Sequence, residues 1–223
     1  MKNRLSSKIA ITIAALLLSA SIARADQIVS FGQLGTTNTF LATNNGDGTT
    51  TLDVTLGGVS ITNIVTGATD PNAVFEFDAT SVDAASLLAG TIITQSFEGT
   101  FSLHNQANTI QYLYGDFGAA LMLGGNGGTG SLFTSNTAGL APLNLFTDLP
   151  VTLGDPMSFS LSLSNVSPAL GISGGTINSF TASYTGTADA ELQVPVPEPA
   201  TLTMLGAGLL GLAGAARRRL SRK

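Results

Sequence analysis

Glu76 and Asp78 stand two positions apart in Ala73-Val-Phe-Glu-Phe-Asp78, a run that alternates apolar with polar residues. On a strand such a pair faces one way, about 6.6 Å apart along the chain. Glycosidases hold paired carboxylates at roughly 5 to 9.5 Å, so the spacing suits acid–base work on a glycosidic bond. The plainer reading is the solvated face of an amphipathic strand. Tryptophan is absent and tyrosine is limited to Tyr112, Tyr114 and Tyr184, so aromatic sugar platforms are scarce. The single histidine, His104, follows Phe101-Ser-Leu103. Alternation sends it to the face opposite Phe101 and Leu103, which is expected to be wet. No G-x-S-x-G elbow frames a nucleophilic serine.

Missing residue types exclude more chemistry than the present ones suggest. All nine Lys and Arg residues lie at or before Arg24 or from Arg217 onward. All fourteen Asp and Glu residues lie between Asp26 and Glu198, so the formal net charge of −5 hides a middle segment of −14. Without lysine, the segment has no Walker-type phosphate loop and no Schiff-base nucleophile. Without cysteine, it has no thiol chemistry and no thiolate metal site. Its surface repels nucleic acid and anionic lipid, which are bound mainly through basic side chains. The expectation is a protein without catalytic residues or a resident cofactor. Calcium is an alternative for the acidic loops, because hard oxygen ligands suit it. Yet Asn44-Asn-Gly-Asp-Gly48 lacks a full twelve-residue loop, and Gly124-Gly-Asn-Gly-Gly-Thr129 puts Thr where a glycine-rich calcium repeat has Asp.

The elements that must position these residues read as strands. Met157-Ser-Phe-Ser-Leu-Ser-Leu-Ser164, Leu52-Asp-Val-Thr-Leu56, Phe97 to Leu103 and Phe180 to Tyr184 all alternate with period two. Ser81 to Leu88 has room for a helical turn or two. Asn44 to Gly48 is a hairpin signal, because Asn and Gly accept positive φ. Gly57-Gly58, Asp70-Pro71 and Gly174-Gly175 mark further breaks. Short strands with such punctuation predict an all-β domain, an antiparallel β-sandwich of which a jelly roll is one arrangement, with Gly124 to Leu149 as a long irregular insertion.

The two ends carry a different message. Lys2, Arg4 and Lys8 precede the uncharged run Ile9 to Ala20, and Ala23-Arg24-Ala25 supplies a small-x-small cleavage pattern. This reads as a signal peptide cut after Ala25. At the other end Ala200 to Ala216 carries no charge and reaches ~25 Å as a helix, enough for a thin hydrocarbon layer. Arg217, Arg218 and Arg219 follow and hold the tail on the cytoplasmic side. Gly206-Ala-Gly-Leu-Leu-Gly211 inside this stretch spells a dinucleotide fingerprint without the strand–turn–helix context that the motif needs.

Pro197-Glu198-Pro199, the apolar run and the arginine cluster together resemble the PEP-CTERM sorting signal over Pro197 to Lys223. The resemblance implies an exported protein of a Gram-negative bacterium that makes extracellular polysaccharide. It would be cut near Pro-Glu-Pro by an exosortase after signal peptidase has removed the leader. Pro197, Glu198 and Pro199 would then be the recognition element, and Arg217, Arg218 and Arg219 the stop and orientation element. The expected organisation is a signal peptide at 1–25, an all-β passenger at 26–193 and a proline-rich linker at 194–199. A transmembrane helix at 200–216 and a basic tail at 217–223 follow. The passenger passes through an inner-membrane intermediate to the cell surface or matrix. There it acts as a structural or adhesive partner of exopolysaccharide, the alternatives being a carbohydrate-active enzyme using Glu76 and Asp78 or a calcium-stabilised binding module.

Overall fold

A computed structural model describes residues 25–136 and 143–193. The chain runs through β1 (Asp26–Gln33), β2 (Phe40–Asn44), β3 (Thr50–Ile64), β4 (Asp70–Ser81), β5 (Ser86–Leu88), β6 (Ile92–His104) and β7 (Gln111–Gly125). It continues through β8 (Ser131–Asn136), β9 (Leu143–Phe146), β10 (Leu153–Ser167), β11 (Ile172–Ser173), β12 (Thr176–Ile177) and β13 (Phe180–Leu192). Every pairing is antiparallel, and the order β6-β4-β3-β1-β13-β10-β8-β7 returns to β6 through twelve aligned residue pairs from Ile92↔Gly125 to His104↔Gln111. Eight strands therefore close into a barrel.

This closure corrects the expected β-sandwich with a flanking C-terminal helix. The described residues contain no helix, and the stretch 200–216 lies outside them. Alternation and turn chemistry are common to sandwiches and barrels. What separates the two is whether the sheet bends enough to meet itself, and the devices for bending are local. Register shifts interrupt β3 between Val54 and Gly57 and β6 between Phe97 and Gly99, as bulges that curve a strand do. Gly57-Gly58 is thus a kink within β3 rather than a break between strands. A Cβ at Gly186 would run into the ring of Phe31, so the β1–β13 seam needs a glycine there.

Two further expectations change. Ser81 to Leu88 forms no helix; its end is β5, laid along β6. Gly124 to Leu149 is not an irregular insertion, because it supplies β8 and β9, which share the flank of β7 end to end. β1 and β2 divide the gap between β3 and β13 in the same way. The hairpins at Asn44 to Gly48 and Gly174-Gly175 stand where the turn residues placed them.

Among the described residues, the inward positions of the barrel are filled by buried side chains. Of eleven phenylalanines, ten are buried inside with Tyr184, packed ring against ring; Phe101 and Phe159 stack at 4.0 Å between centroids. Each such ring contributes about 1.5–3 kcal/mol by leaving water, which is how a domain without disulfides or lysine salt bridges is held. Polar interior groups are paired where β3, β4 and β6 run together. The Thr50 amide donates to Ser81 Oγ at 2.8 Å, and Gln95 Nε2 donates to the Asp83 carbonyl at 2.9 Å.

Candidate functional site

The outward residues of β3, β4, β6, β7 and β9 carry the chemistry. Antiparallel register lays Asp53 of β3 opposite Asp78 of β4, Asp78 opposite Thr100 of β6, Thr100 opposite Asp116 of β7, and Asp116 opposite Asn144 of β9. The neighbouring row runs Glu76, Ser102, Tyr114, Phe146 across β4, β6, β7 and β9. All of them except Asn144 line a groove of about 700 Å³ on the barrel's outer wall. Glu76 and Asp78 share this face, as their spacing requires. The closest carboxylate neighbour of Asp78 in the register is Asp53, which lies 25 positions away in sequence and enters only through the β3–β4 hairpin.

The carboxylates are met by neutral donors. Thr55 Oγ1 donates to Asp53 Oδ1 at 2.9 Å, Asn144 Nδ2 to Asp116 Oδ2 at 2.9 Å, and Ser102 Oγ to Glu76 Oε2 at 3.2 Å. His104 Nε2 lies 3.9 Å from Glu76 Oε2. His104 shares the outer face with Ser102, as alternation indicates, but it is only 4% exposed, so the expected wet position is corrected. A register shift between Leu103 and His104 sets it out of the regular ladder, and its Nδ1 meets the Asn105 carbonyl at 2.9 Å. Its ring is held rather than offered to solvent.

Beside the acids stands an aromatic pair. Tyr114 and Phe146 stack with centroids 5.3 Å apart and planes 25° from parallel. Both are exposed, Tyr114 at 38% and Phe146 at 48%, and Phe146 is the one phenylalanine outside the core. On the far side of this stack lies a second groove of about 370 Å³, lined by Asn144, Thr147, Val151, Thr152 and Leu153 among others. It follows the seam where β9 pairs with β7 but not with β10. Aromatic platforms are hard to read from the sequence, because tyrosines are few and β9 falls in the stretch expected to be irregular. The one available signal was Leu143-Asn-Leu-Phe146, whose alternation leaves Phe146 on the polar side.

The acidic loops spend their oxygens locally. Asn44 Oδ1 accepts from the Gly46 amide at 3.0 Å, and Asp47 Oδ1 accepts from the Thr49 amide at 2.9 Å and the Thr49 hydroxyl at 2.6 Å. Those bonds hold the Asp47 carboxyl below the usual carboxylate range. Among the described residues, no three His, Cys, Asp or Glu side chains are arranged to share a metal ion. Tyr112 donates to Asp70 Oδ2 at 2.8 Å, and burial together with that carboxylate pushes its hydroxyl up to about 12.

The described part of the chain is an all-β barrel with its distinctive chemistry on one outer wall. Its handling is marked at the other end: a family model described as the PEP-CTERM protein-sorting motif matches residues 195–219. The chain thus carries the PEP-CTERM sorting motif, which supports an exported protein sorted by an exosortase. No curated protein and no solved structure matches it. The motif residues Pro197, Glu198 and Pro199, the arginines 217–219 and Ala23 lie outside the described residues, whereas Ala25 is exposed just ahead of β1.

Proposed function

We propose that the exported barrel is a non-catalytic structural or adhesive component of the extracellular matrix, which holds exopolysaccharide on its outer wall. The observation that supports this reading is the solvent-facing Tyr114–Phe146 stack between two grooves. Ten other phenylalanines lie inside, which leaves Phe146, stacked on Tyr114, as the one whose ring faces solvent. Flat aromatic faces with polar groups around them suit sugar rings, which present an apolar face and a polar edge. Export and exosortase sorting, marked by the C-terminal motif, are compatible with a polymer partner outside the cell. The absence of lysine and cysteine from the exported segment and the shielding of His104 weigh against a catalytic role.

The test is co-sedimentation of the purified protein with exopolysaccharide from the producing cell, in calcium and then in EDTA. Saturable pelleting with the polymer intact is the expected result. Failure to pellet in either condition would sink the reading. Shortening of the polymer that disappears in Glu76→Gln would replace it with a carbohydrate-active enzyme, and pelleting lost in EDTA would put calcium in the interface. Delivery has its own check. Alanine at Pro197, Glu198 and Pro199 is expected to leave uncut, full-length chain in the membrane fraction on an immunoblot.

A further inference from the structure

We infer that the polymer held on this wall is a polysaccharide bearing free amines, and that an internal stretch of it lies across the aromatic ridge; this rests on the reading of the wall as a glycan site. Tyr114 and Phe146 border both grooves, so the stack is a saddle with a channel on either side rather than the end of a pocket. A site open on both sides of its platform accepts the middle of a chain. The two channels differ in charge. One holds Asp53, Glu76, Asp78 and Asp116, and the other is lined by uncharged residues.

The acidic channel holds no lysine or arginine, and its one basic neighbour is His104, whose Nε2 lies 3.9 Å from Glu76 Oε2. No lysine or arginine occurs between Arg24 and Arg217, and the bonds to Asp53 and Asp116 come from a hydroxyl and an amide. Like charges placed opposite each other, as Asp53 and Asp78 are, destabilise a sheet. The carboxylates extend from β3 to β7, three strand spacings or about 14 Å, a span covered by several linked sugar rings. A single metal ion gathers its ligands within one coordination sphere, and no such group of three is present among the described residues. Ammonium groups repeated along a sugar chain match both the sign and the spread. Gln111, also on this groove, donates through Nε2 to Asn108 Oδ1 at 2.9 Å and leaves its amide oxygen without a hydrogen-bond partner. Uronic-acid polymers are repelled by the same field.

The test is calorimetric titration of the full-length protein with a β-1,4-linked glucosamine hexamer and with its N-acetylated counterpart, which share a backbone and differ in charge. The amine form is expected to bind at least about ten-fold tighter at low salt, equivalent to about 1.4 kcal/mol. That advantage should shrink in high salt as the charges are screened. Asp53→Asn with Asp78→Asn should erase the advantage and leave the acetylated hexamer bound as before. Tyr114→Ala should weaken both. Asp189→Asn with Glu191→Gln, across the barrel on β13, should change neither. Equal binding of the two hexamers would overturn the charge preference while leaving a glycan site in place. Equal loss in the β13 variant would reduce the effect to net charge and overturn it too. A hexalysine peptide that binds as well and ignores Tyr114→Ala would show that sugar rings are not read. Binding of neither hexamer would remove the glycan site itself.

Discussion

Two walls of one barrel obey the same inward rule and differ entirely outside. On β10 and β13, Ser158, Ser160, Ser162 and Ser164 lie opposite Asp189, Thr187, Thr185 and Ser183, and Ser160 and Thr187 share a hydroxyl bond of 2.9 Å. That wall is mostly short hydroxyl side chains, and the Ser160–Thr187 bond is of the cross-strand kind that adds to sheet stability, while Ser158 donates to Asp189 Oδ2 at 3.2 Å. On β3, β4 and β7, carboxylates gather without a lysine or arginine beside two exposed rings. Folding is favoured by the first arrangement and by the cross-strand aromatic pair, and is opposed by the facing carboxylates. The outward residues that cost stability are therefore the ones to examine for function.

The sharpest way to separate wall from interior is to damage what both walls share. Phe133 packs against Phe77, Phe97 and Phe117 in the barrel centre. Phe133→Ala is expected to cost about 3–5 kcal/mol in urea unfolding, by lost transfer and an unfilled cavity. Alkali should act on the interior next. Burial pushes the Tyr184 hydroxyl up to about 12, from an ordinary value of 10.0. The native state holds that proton more tightly than the unfolded chain does, so stability is full below pH 10.0 and falls as pH rises toward about 12. Melting temperature followed across that window should decline less steeply in Tyr184→Phe.

The walls themselves should respond weakly and with opposite signs. Ser160→Ala removes a satisfied hydroxyl pair and should lower stability by about 0.2–1 kcal/mol. Asp78→Asn relieves the opposition to Asp53 and should raise stability by a similar amount, roughly 0.2–1 kcal/mol, in low salt only. Thermal melts at two salt concentrations decide it. A destabilising Asp78→Asn would mean that the carboxylate is structural and that the contrast between the walls is false.

Much of this was legible in the residues. Alternation in Met157 to Ser164, in Ala73 to Asp78 and in Phe97 to Leu103 places those segments inside β10, β4 and β6 with the correct faces inward. It also puts Glu76 and Asp78 together, because that relation lives within one strand. Closure was not legible, since alternation states which face is buried and not which strand lies alongside. The Asp53–Asp78 pair and the Tyr114–Phe146 stack depend on register between strands, and register emerges from hairpin geometry and packing. His104 was placed on the right face but in the wrong environment, because a local shift in the ladder leaves no mark in the pattern of apolar residues. The PEP-CTERM motif was legible because it is contiguous, from the prolines to the arginines.

The most direct measurement compares the walls in one experiment. Exopolysaccharide from the producing cell is titrated with the protein, with Tyr114→Ala/Phe146→Ala and with Ser160→Ala/Thr187→Ala, after circular dichroism has established that all three are folded. The account predicts that the aromatic variant loses saturable co-sedimentation while the hydroxyl variant keeps it. Equal retention by both, or equal loss in both, would contradict the claim that one wall of this barrel was built to hold the polymer.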